Sequence, residues 1–350
     1  MLRTRYRLFF NSPFVMKISS EHGSQTERKD LSTELAMGGQ AVIEGVMMRS
    51  PDRVAVAVRK PDGGIAVKSY PYIPITRRVK WLKIPVIRGA VGMVEAVKIG
   101  MDALNWSAEQ AMPEEAAKRE KRTGGRKWLG TALSMTLALV FGLGLFMYLP
   151  YWVAKLTMGG NQGQLGFHLI AGSIRIVILL TYLWVISRLR DIHRVFQYHG
   201  SEHKTIFGFE SGEDLSADRV MCQTRFHPRC GTSFLLIVAL AAIIFFVIVD
   251  TVVVALFGAY PSVFVRLLVH LPLIPVVAGL SYELLKASSK RVNNKLVWAL
   301  IQPGLWLQKI TTQEPDSSMC EVAIVALKTA LGETVEPVTQ PVPQPHSVQA

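Results

Sequence analysis

The sequence predicts a mainly α fold, a polytopic helical membrane protein with four transmembrane helices and a small β-containing cytoplasmic N-terminal element. The first indication is composition. Half of the 350 residues are hydrophobic, yet the formal net charge is +13. A soluble domain rarely combines these properties, whereas apolar spans with basic flanks produce both. The lengths of the apolar runs and the placement of the basic residues are the second and third indications.

Four apolar runs are long enough to cross a bilayer. A hydrocarbon core of about 30 Å requires about 20 helical residues. The runs cover roughly residues 129–149, 165–187, 233–257 and 263–285. Because lipid offers no hydrogen-bond partner to a free backbone amide, each run is expected to be helical.

The basic residues predict the orientation of these spans. Of the 39 Lys and Arg residues, 36 lie before the first span, between the second and third, or after the fourth. The two opposite loops, 150–164 and 258–262, contain only Lys155. Since cationic loops stay in the cytoplasm, the protein is expected in the cell inner (plasma) membrane with both termini cytoplasmic.

This bias also bears on the partners. The preference of basic loops for the cytoplasm is enough to explain these residues, so we do not expect nucleic acid to bind. The expected partners are membrane lipids, whose anionic headgroups attract basic segments. Four spans are few for a transporter, so a homo-oligomer would have to supply more. The sequence identifies no protein partner.

Changes in composition divide the chain into five segments. The predicted segments are a disordered arm (1–36), a cytoplasmic β-hairpin element with an interfacial helix (37–128), the four-helix transmembrane region with its cytoplasmic loop 188–232 (129–285), cytoplasmic interfacial helices (286–332) and a disordered Pro-rich tail (333–350).

The β element is predicted from alternation and turn chemistry. The stretches "VAVAVR" (54–59) and "IAVKSY" (65–70) flank the turn "PDGG", which is typical of a β-hairpin. A third apolar stretch, "GGQAVIEGVMMR" (38–49), is interrupted by glycines. An element of about 40 residues is too small to fold alone, so it should pack on another part of the chain.

Further helices are predicted before and after the four spans in the sequence. Residues 88–117 have one apolar stripe and should lie on the membrane surface or against the bundle. In 295–312 a Pro-Gly pair suggests two short interfacial pieces. A further helix is expected over 317–332, where Ser318 and Glu321 have capping-box spacing.

The stretch "QYHGSEHKTI" (197–206) carries the strongest chemical pattern. His199, Glu202 and His203 read as H-x-x-E-H, the reverse of a zinc-protease motif. On a helix that continues from the second span, the two histidines share one face and can meet one ion. Gly200 lowers the stability of such a helix by about 1 kcal/mol relative to Ala.

A second cluster begins the third span. The stretch "HPRCGTS" (227–233) contains His227 and Cys230, and both clusters are expected at the cytoplasmic membrane face. If they converge, His199, His203, His227 and Cys230 make a tetrahedral zinc set. Cytoplasmic thiols stay reduced, which favours metal binding or burial over a disulfide.

Three interpretations of these residues stay open. A closed four-ligand zinc site would be structural. An open site would be catalytic, with Glu202 as the general base and Glu283, in "SYELLK", as a further ligand. In the third interpretation there is no metal, and the polar groups satisfy one another at the membrane interface.

Charged residues within the spans are a separate feature. Arg175 lies near the middle of the second span, and Asp250 and Arg266 lie in the outer halves of the third and fourth. Such charges cost about 2.5–3.5 kcal/mol on insertion scales and usually pair. We expect Asp250 and Arg266 to pair, as a packing clamp in preference to a proton or substrate path.

Four stretches together resemble a known family. In order they are "GGQAVIEGVMMR", "YHGSEHK", "HPRCGTSF" and "PGLWLQKITT". They resemble the YqhQ-like family of bacterial multi-pass membrane proteins, whose function is unknown, over nearly everything from Met37 to Leu331. Members are sometimes described as predicted metal-dependent enzymes, which would fit the histidine, glutamate and cysteine side chains named above.

The leading functional prediction is a metal-dependent (zinc) hydrolase at the cytoplasmic membrane face, with peptide bonds as one candidate substrate. The alternative is a non-enzymatic membrane scaffold or interaction protein with a structural zinc site. A transporter component is the third.

Overall fold

A computed structural model describes residues 37–114, 125–158, 164–212, 214–227, 231–289 and 295–334. The predicted N-terminal arm and nearly all of the predicted Pro-rich tail lie outside these ranges. The described part is mainly helical, with one small antiparallel sheet near its N-terminal end.

The sheet is a four-stranded meander in the order β1-β2-β3-β4. Its strands are β1 (Gly38–Val42), β2 (Gly45–Arg49), β3 (Arg53–Arg59) and β4 (Ile65–Pro71). The predicted hairpin over 54–70 is confirmed as β3 and β4. The glycine-interrupted stretch before it is a second hairpin, whose two-residue turn places Glu44 at a φ of 52°.

The helices in the described ranges surround this sheet and extend away from it. They are α1 (Ile75–Arg78), α2 (Ile87–Ala111), α3 (Gly125–Leu143), α4 (Leu149–Met158), α5 (Gln164–Ile186), α6 (Arg190–Glu210), α7 (Ala217–Met221), α8 (Gly231–Phe257), α9 (Val263–His270), α10 (Ile274–Ser289), α11 (Lys295–Thr311) and α12 (Ser317–Ala330). A π-helical turn (Gly144–Tyr148) joins α3 to α4, and 3-10 turns occur at Lys80–Lys83 and Leu271–Leu273.

Helices cover both faces of the sheet. On one face, the alternating valines Val54, Val56 and Val58 of β3 pack against Ile99 and Ala103 of α2. The other face contacts α6 and α12. The prediction that the β element packs on other parts of the chain is therefore correct. In sequence, α2 precedes the four spans, α6 lies between the second and third, and α12 follows the fourth.

Four helical segments are long and apolar enough to cross a membrane. They are Ala132–Thr157, Gly166–Ile186, Leu236–Phe257 and Val263–Leu285, in close agreement with the sequence prediction. Large apolar side chains on their outer faces, such as Phe141, Ile244 and Phe264, are mostly exposed. Surfaces of this kind require an apolar environment, which is compatible with a multi-pass membrane protein.

The helix predicted over 88–117 packs against the bundle. α2 lies along α10, where Gly89 and Gly279 bring the two backbones together. A Cβ added to Gly89 would lie 2.9 Å from the Cα of Gly279. Helix α2, which covers one face of the sheet, therefore touches the apolar bundle at a glycine crossing.

Two predictions near the C-terminal end are wrong. Residues 295–311 form the single helix α11, which contains Pro303, instead of two short pieces. The helix tolerates Pro303 because packing against α8 supports it. Asp316, not Ser318, caps α12, since its carboxylate accepts the Met319 amide.

Candidate functional site

The H-x-x-E-H stretch lies in the middle of α6, which runs unbroken through Gly200. A Cβ at Gly200 would collide with the backbone carbonyl of Gln313. The Gln313 amide in turn donates to the Phe196 carbonyl over 2.8 Å. Gly200 thus admits the connection between α11 and α12, and this packing offsets the low helix propensity of glycine.

Two imidazoles of α6 are oriented by backbone carbonyls. His199 Nδ1 lies 2.8 Å from the Thr311 carbonyl oxygen, and His203 Nδ1 lies 2.5 Å from that of Arg225. Since a carbonyl only accepts, both Nδ1 atoms carry the proton. In the neutral form of each ring the lone pair is then on Nε2, which is the tautomer of a metal-ligating histidine held by its surroundings.

His227 completes a row of three imidazoles. The ring centroids of His199 and His203 are 4.5 Å apart, and those of His203 and His227 are 5.7 Å apart. Rings that share one ion through bonds of about 2.0–2.1 Å have centroids about 5 Å apart. The structure therefore brings together the histidines of the two predicted clusters.

Gln308 of α11 fixes the backbone of His227. Its side-chain oxygen accepts the His227 amide over 2.8 Å, and its side-chain nitrogen donates to the His227 carbonyl over 2.7 Å. The ring Nε2 of His227 lies 3.5 Å from a carboxylate oxygen of Glu210. Gln308 is fully buried, so this two-point contact holds the loop before α8 against α11.

Glu202 is buried between α6 and the edge strand β1. Its side chain is 5% exposed and approaches Gly39 so closely that a Cβ there would lie 2.8 Å from the carboxylate carbon. The second glycine of "GGQ" thus makes room for this carboxylate. The contact places the sheet directly beside the row of imidazoles.

Of the other two predicted ligands, the structure describes only Glu283. Glu283 lies on α10 and accepts two hydrogen bonds from Arg88 of α2, one of them 2.6 Å long from Nε. Cys230 lies outside the described residues. Within the described ranges, no group of three or more His, Cys, Asp or Glu side chains is positioned to hold a metal ion, so the four-ligand zinc set stays a prediction.

The other two cysteines differ in environment. Cys222 is exposed, whereas Cys320 is buried beside Val220 and Ile324. Burial raises the pKa of the Cys320 thiol to about 12, so it remains protonated at neutral pH and behaves as a small apolar side chain.

Glu44, at the tip of the β1–β2 hairpin, anchors the sheet to the start of α6. Its carboxylate accepts two hydrogen bonds from Arg194, one of 2.6 Å from an NH2 group, and one of 3.3 Å from the Tyr198 hydroxyl. Burial raises the pKa of Tyr198, and the nearby Glu44 carboxylate adds to the effect. The hairpin is therefore held at the helix that carries the imidazoles.

A second polar cluster lies inside the apolar bundle, and its predicted pair is confirmed. Asp250 is 1% exposed and forms an ion pair with Arg266. It also accepts hydrogen bonds from the Tyr260 hydroxyl over 2.8 Å and from His270 over 2.7 Å, and His168 lies 3.0 Å away. Sequence reasoning missed both histidines, although an imidazole within an apolar span is itself a signal.

A family model described as a protein of unknown function, DUF1385, matches residues 84–333. The chain belongs to this family. The match runs from α2 through α12, so it includes the three imidazoles and the Asp250 cluster, whereas the sheet precedes it. The description assigns no activity, so the function has to be argued from the site.

The chain is also similar to the uncharacterized protein YqhQ of Bacillus subtilis (strain 168). The two are 34% identical over 300 residues, which cover 83% of this chain and 90% of the relative. No solved structure matches the chain.

Proposed function

We propose that the chain is a metal-dependent hydrolase in the plasma membrane, with both termini and its imidazole row on the cytoplasmic side. The placement is supported by the four apolar helices and by the 36 Lys and Arg residues on one side of them. The sheet, α6 and α12 then form the cytoplasmic module. A phosphatase fusion that is active outside the cell when placed at the C terminus would contradict this orientation.

The main support for the proposed metal site is the hydrogen bonding and burial of the His203 ring. Its Nδ1 is occupied by the Arg225 carbonyl, its ring is 1% exposed, and its Nε2 has no hydrogen-bond partner among the described residues. An unsatisfied buried lone pair costs free energy, and a cation at Nε2 would remove that cost. Zinc suits imidazole nitrogen and a thiolate, so His199, His203, His227 and Cys230 are the proposed ligands.

The hydrolase part of the proposal rests on Glu202, which neighbours these imidazoles. A bound zinc ion would supply Lewis acidity that lowers the pKa of water. Glu202 would take up the proton released there and return it to the leaving group. Gly39 and β1 flank this carboxylate, so an extended peptide is the substrate class that best suits the site.

A structural zinc site in a scaffold protein is the second candidate, and burial is the observation that favours it. His199, Glu202, His203 and His227 are all buried, and a substrate would need an opening to reach them. In this case the metal would hold the connection between α6 and α8 against α11. Glu202 would then contribute to packing and would have no catalytic role.

Metal analysis of the purified full chain tests both candidates. We expect about one zinc per chain, and loss of most of it in His203→Ala because one ligand and its oriented lone pair are removed. His193→Ala is the matched control, since His193 lies exposed on the same helix. A wild-type protein that contains no zinc after purification without chelators, and takes none up on dialysis, would reject both candidates.

Glu202→Gln separates the two candidates. The variant should keep its zinc, because Glu202 is not a ligand, and should lose hydrolysis of a pool of internally quenched fluorescent peptides by about 100-fold or more. Peptide cleavage at the wild-type rate in Glu202→Gln would reject Glu202 as the base. A wild-type protein that binds zinc and cleaves nothing would favour the scaffold.

A further inference from the structure

A cavity of about 180 Å³ opens within the apolar bundle, far in sequence from the imidazole row. This volume is well above the roughly 10–15 Å³ that one water molecule needs, so it can hold a group of several atoms. The cavity is bounded by α3, the π turn, α4, α5, α8 and α9. Its apolar wall includes Leu143, Met147, Phe167, Ile243, Phe246 and Leu267.

The polar end of the cavity carries two guanidinium groups, those of Arg175 and Arg266. His168 and His270 also line it. The only carboxylate that the described structure places against this group is Asp250, and it is engaged by Arg266, both histidines and Tyr260. One guanidinium is therefore balanced, and the other adds an uncompensated positive charge.

Arg175 is the unbalanced group. Its only hydrogen bond within the described residues runs from Nε to the Phe146 carbonyl over 2.9 Å, and no described carboxylate pairs with it. A guanidinium has five N–H donors, so four of them are not used by this bond. Arg266 lines the same cavity but is paired with Asp250, so Arg175 supplies the net positive charge that attracts an anion there.

The π turn explains how Arg175 is held. Residues Gly144–Tyr148 interrupt the regular helix between α3 and α4, and Phe146 is the central residue of the turn. Such turns leave carbonyl groups without their usual helical partner and are frequent at functional sites. The Phe146 carbonyl accepts a hydrogen bond from Nε of Arg175, and this bond holds the guanidinium at the cavity wall.

We propose that this cavity binds an oxyanion group carried on an apolar chain, with Arg175 as its main contact. A guanidinium fork matches the oxygens of a phosphate or carboxylate, and the apolar wall suits the chain that carries them. An anionic membrane lipid has this chemistry, and inorganic phosphate offers the same oxygens without the chain. His168 and Arg266 lie within three residues of the starts of the spans at Gly166 and Val263, so the site lies in the half of the bundle away from the imidazole row.

Native mass spectrometry of the full chain in detergent tests the site. Phosphatidylglycerol, phosphatidylcholine with the same acyl chains, and inorganic phosphate are added in separate arms. We expect one phosphatidylglycerol per wild-type chain to be retained in preference to phosphatidylcholine. Arg175→Gln should lower that occupancy about tenfold, the effect of losing one charge-assisted contact. Arg188→Gln, at the cytoplasmic end of the same region, should bind as the wild type does.

Two further variants keep the test decisive. Arg175→Lys retains the charge, so it should keep part of the binding if Arg175→Gln fails to fold. His203→Ala should bind lipid normally, which separates this site from the proposed zinc site. Equal retention of phosphatidylglycerol by the wild type and the Arg175 variants would overturn the proposal. Binding of inorganic phosphate alone would support the oxyanion site and overturn its assignment to a lipid.

Discussion

The sheet module, which we define as the sheet with α2, α6, α12 and the residues packed against them, and the apolar bundle bury polar groups in different ways. In the module, His199, His203 and His227 are oriented by backbone carbonyls and by the amide of Gln308. In the bundle, Asp250 is satisfied by charged and polar side chains from neighbouring helices. The difference reflects the available partners, since helical backbone groups in a bundle are already used, whereas loops and helix ends in the module offer spare carbonyls.

The packing of the two regions differs as well. The sheet is enclosed by α2 on one face and by α6 and α12 on the other, so its central strands are almost fully buried. The bundle leaves many of its large apolar side chains exposed and buries few of them completely. Specific polar contacts should therefore contribute more to stability in the bundle, and tight packing should contribute more in the module. Four substitutions test this contrast.

Asp250→Asn should have the largest effect. It leaves Arg266 and the adjoining histidines buried without their counter-charge, and breaking such a pair costs about 3–5 kcal/mol. We expect a marked fall in the thermal unfolding midpoint of the detergent-solubilised full chain. Asp62→Asn, at the exposed tip of the β3–β4 hairpin, is the control and should change little. An Asp250→Asn protein as stable as the control would show that the bundle does not depend on its ion pair.

Gly89→Ala tests the junction between the two regions. The added Cβ would meet the backbone of α10, which we expect to destabilise the protein by about 1–3 kcal/mol. Gly92→Ala, three residues further along α2, meets nothing within 4 Å and should stabilise the helix by up to about 1 kcal/mol. Thermal unfolding of the two variants should therefore shift in opposite directions, and parallel shifts would contradict the crossing.

Cys320→Ser tests packing inside the module. The hydroxyl would enter a site shaped by Val220 and Ile324, and burying it should cost about 1–2 kcal/mol. Cys222→Ser changes an exposed side chain and should stay within about 0.5 kcal/mol of the wild type. Chemical unfolding curves of both variants measure the difference. Equal stability would mean that the module tolerates polar groups as freely as its surface does.

Arg59→Gln should have the smallest effect. Arg59 donates to the Ser318 carbonyl over 2.7 Å and pairs with Glu321 over 3.0 Å, which ties β3 to the start of α12. The Glu321 side chain is 44% exposed, so solvent screens the pair and its loss should cost about 0.5–1 kcal/mol. An Arg59→Gln effect that matches that of Asp250→Asn would remove the contrast between the regions.

The regular elements were largely predictable from the sequence. The four spans follow from the length of apolar runs, and β3–β4 follows from strict alternation around a Pro-Asp-Gly-Gly turn. The Asp250–Arg266 pair was predictable too, because a short connection places both charges at similar depth. These features depend on residues that are close in sequence.

For the site, the sequence predicted the residue types and one contact, but not how the rings are held. The proximity of His203 to His227 follows the prediction, yet the carbonyls that orient the rings belong to Thr311 and Arg225, which no motif singled out. The pairing of Glu283 with Arg88 joins residues 195 positions apart. The continuity of α11 through Pro303 was equally hidden, since it depends on support from α8.

The sequence by itself therefore determined where the chain is apolar enough to cross a membrane, where it alternates as strands and where residue types that can ligate metals are clustered. Hydropathy and periodicity are local properties, and a short window of residues contains them. The tertiary structure alone decided which ring nitrogen of His199 and His203 donates a hydrogen bond, why glycine occupies position 200 inside a helix and which cation remains unbalanced beside the cavity. Those outcomes depend on backbone atoms brought together from distant segments, and their positions exist only once the whole fold has formed.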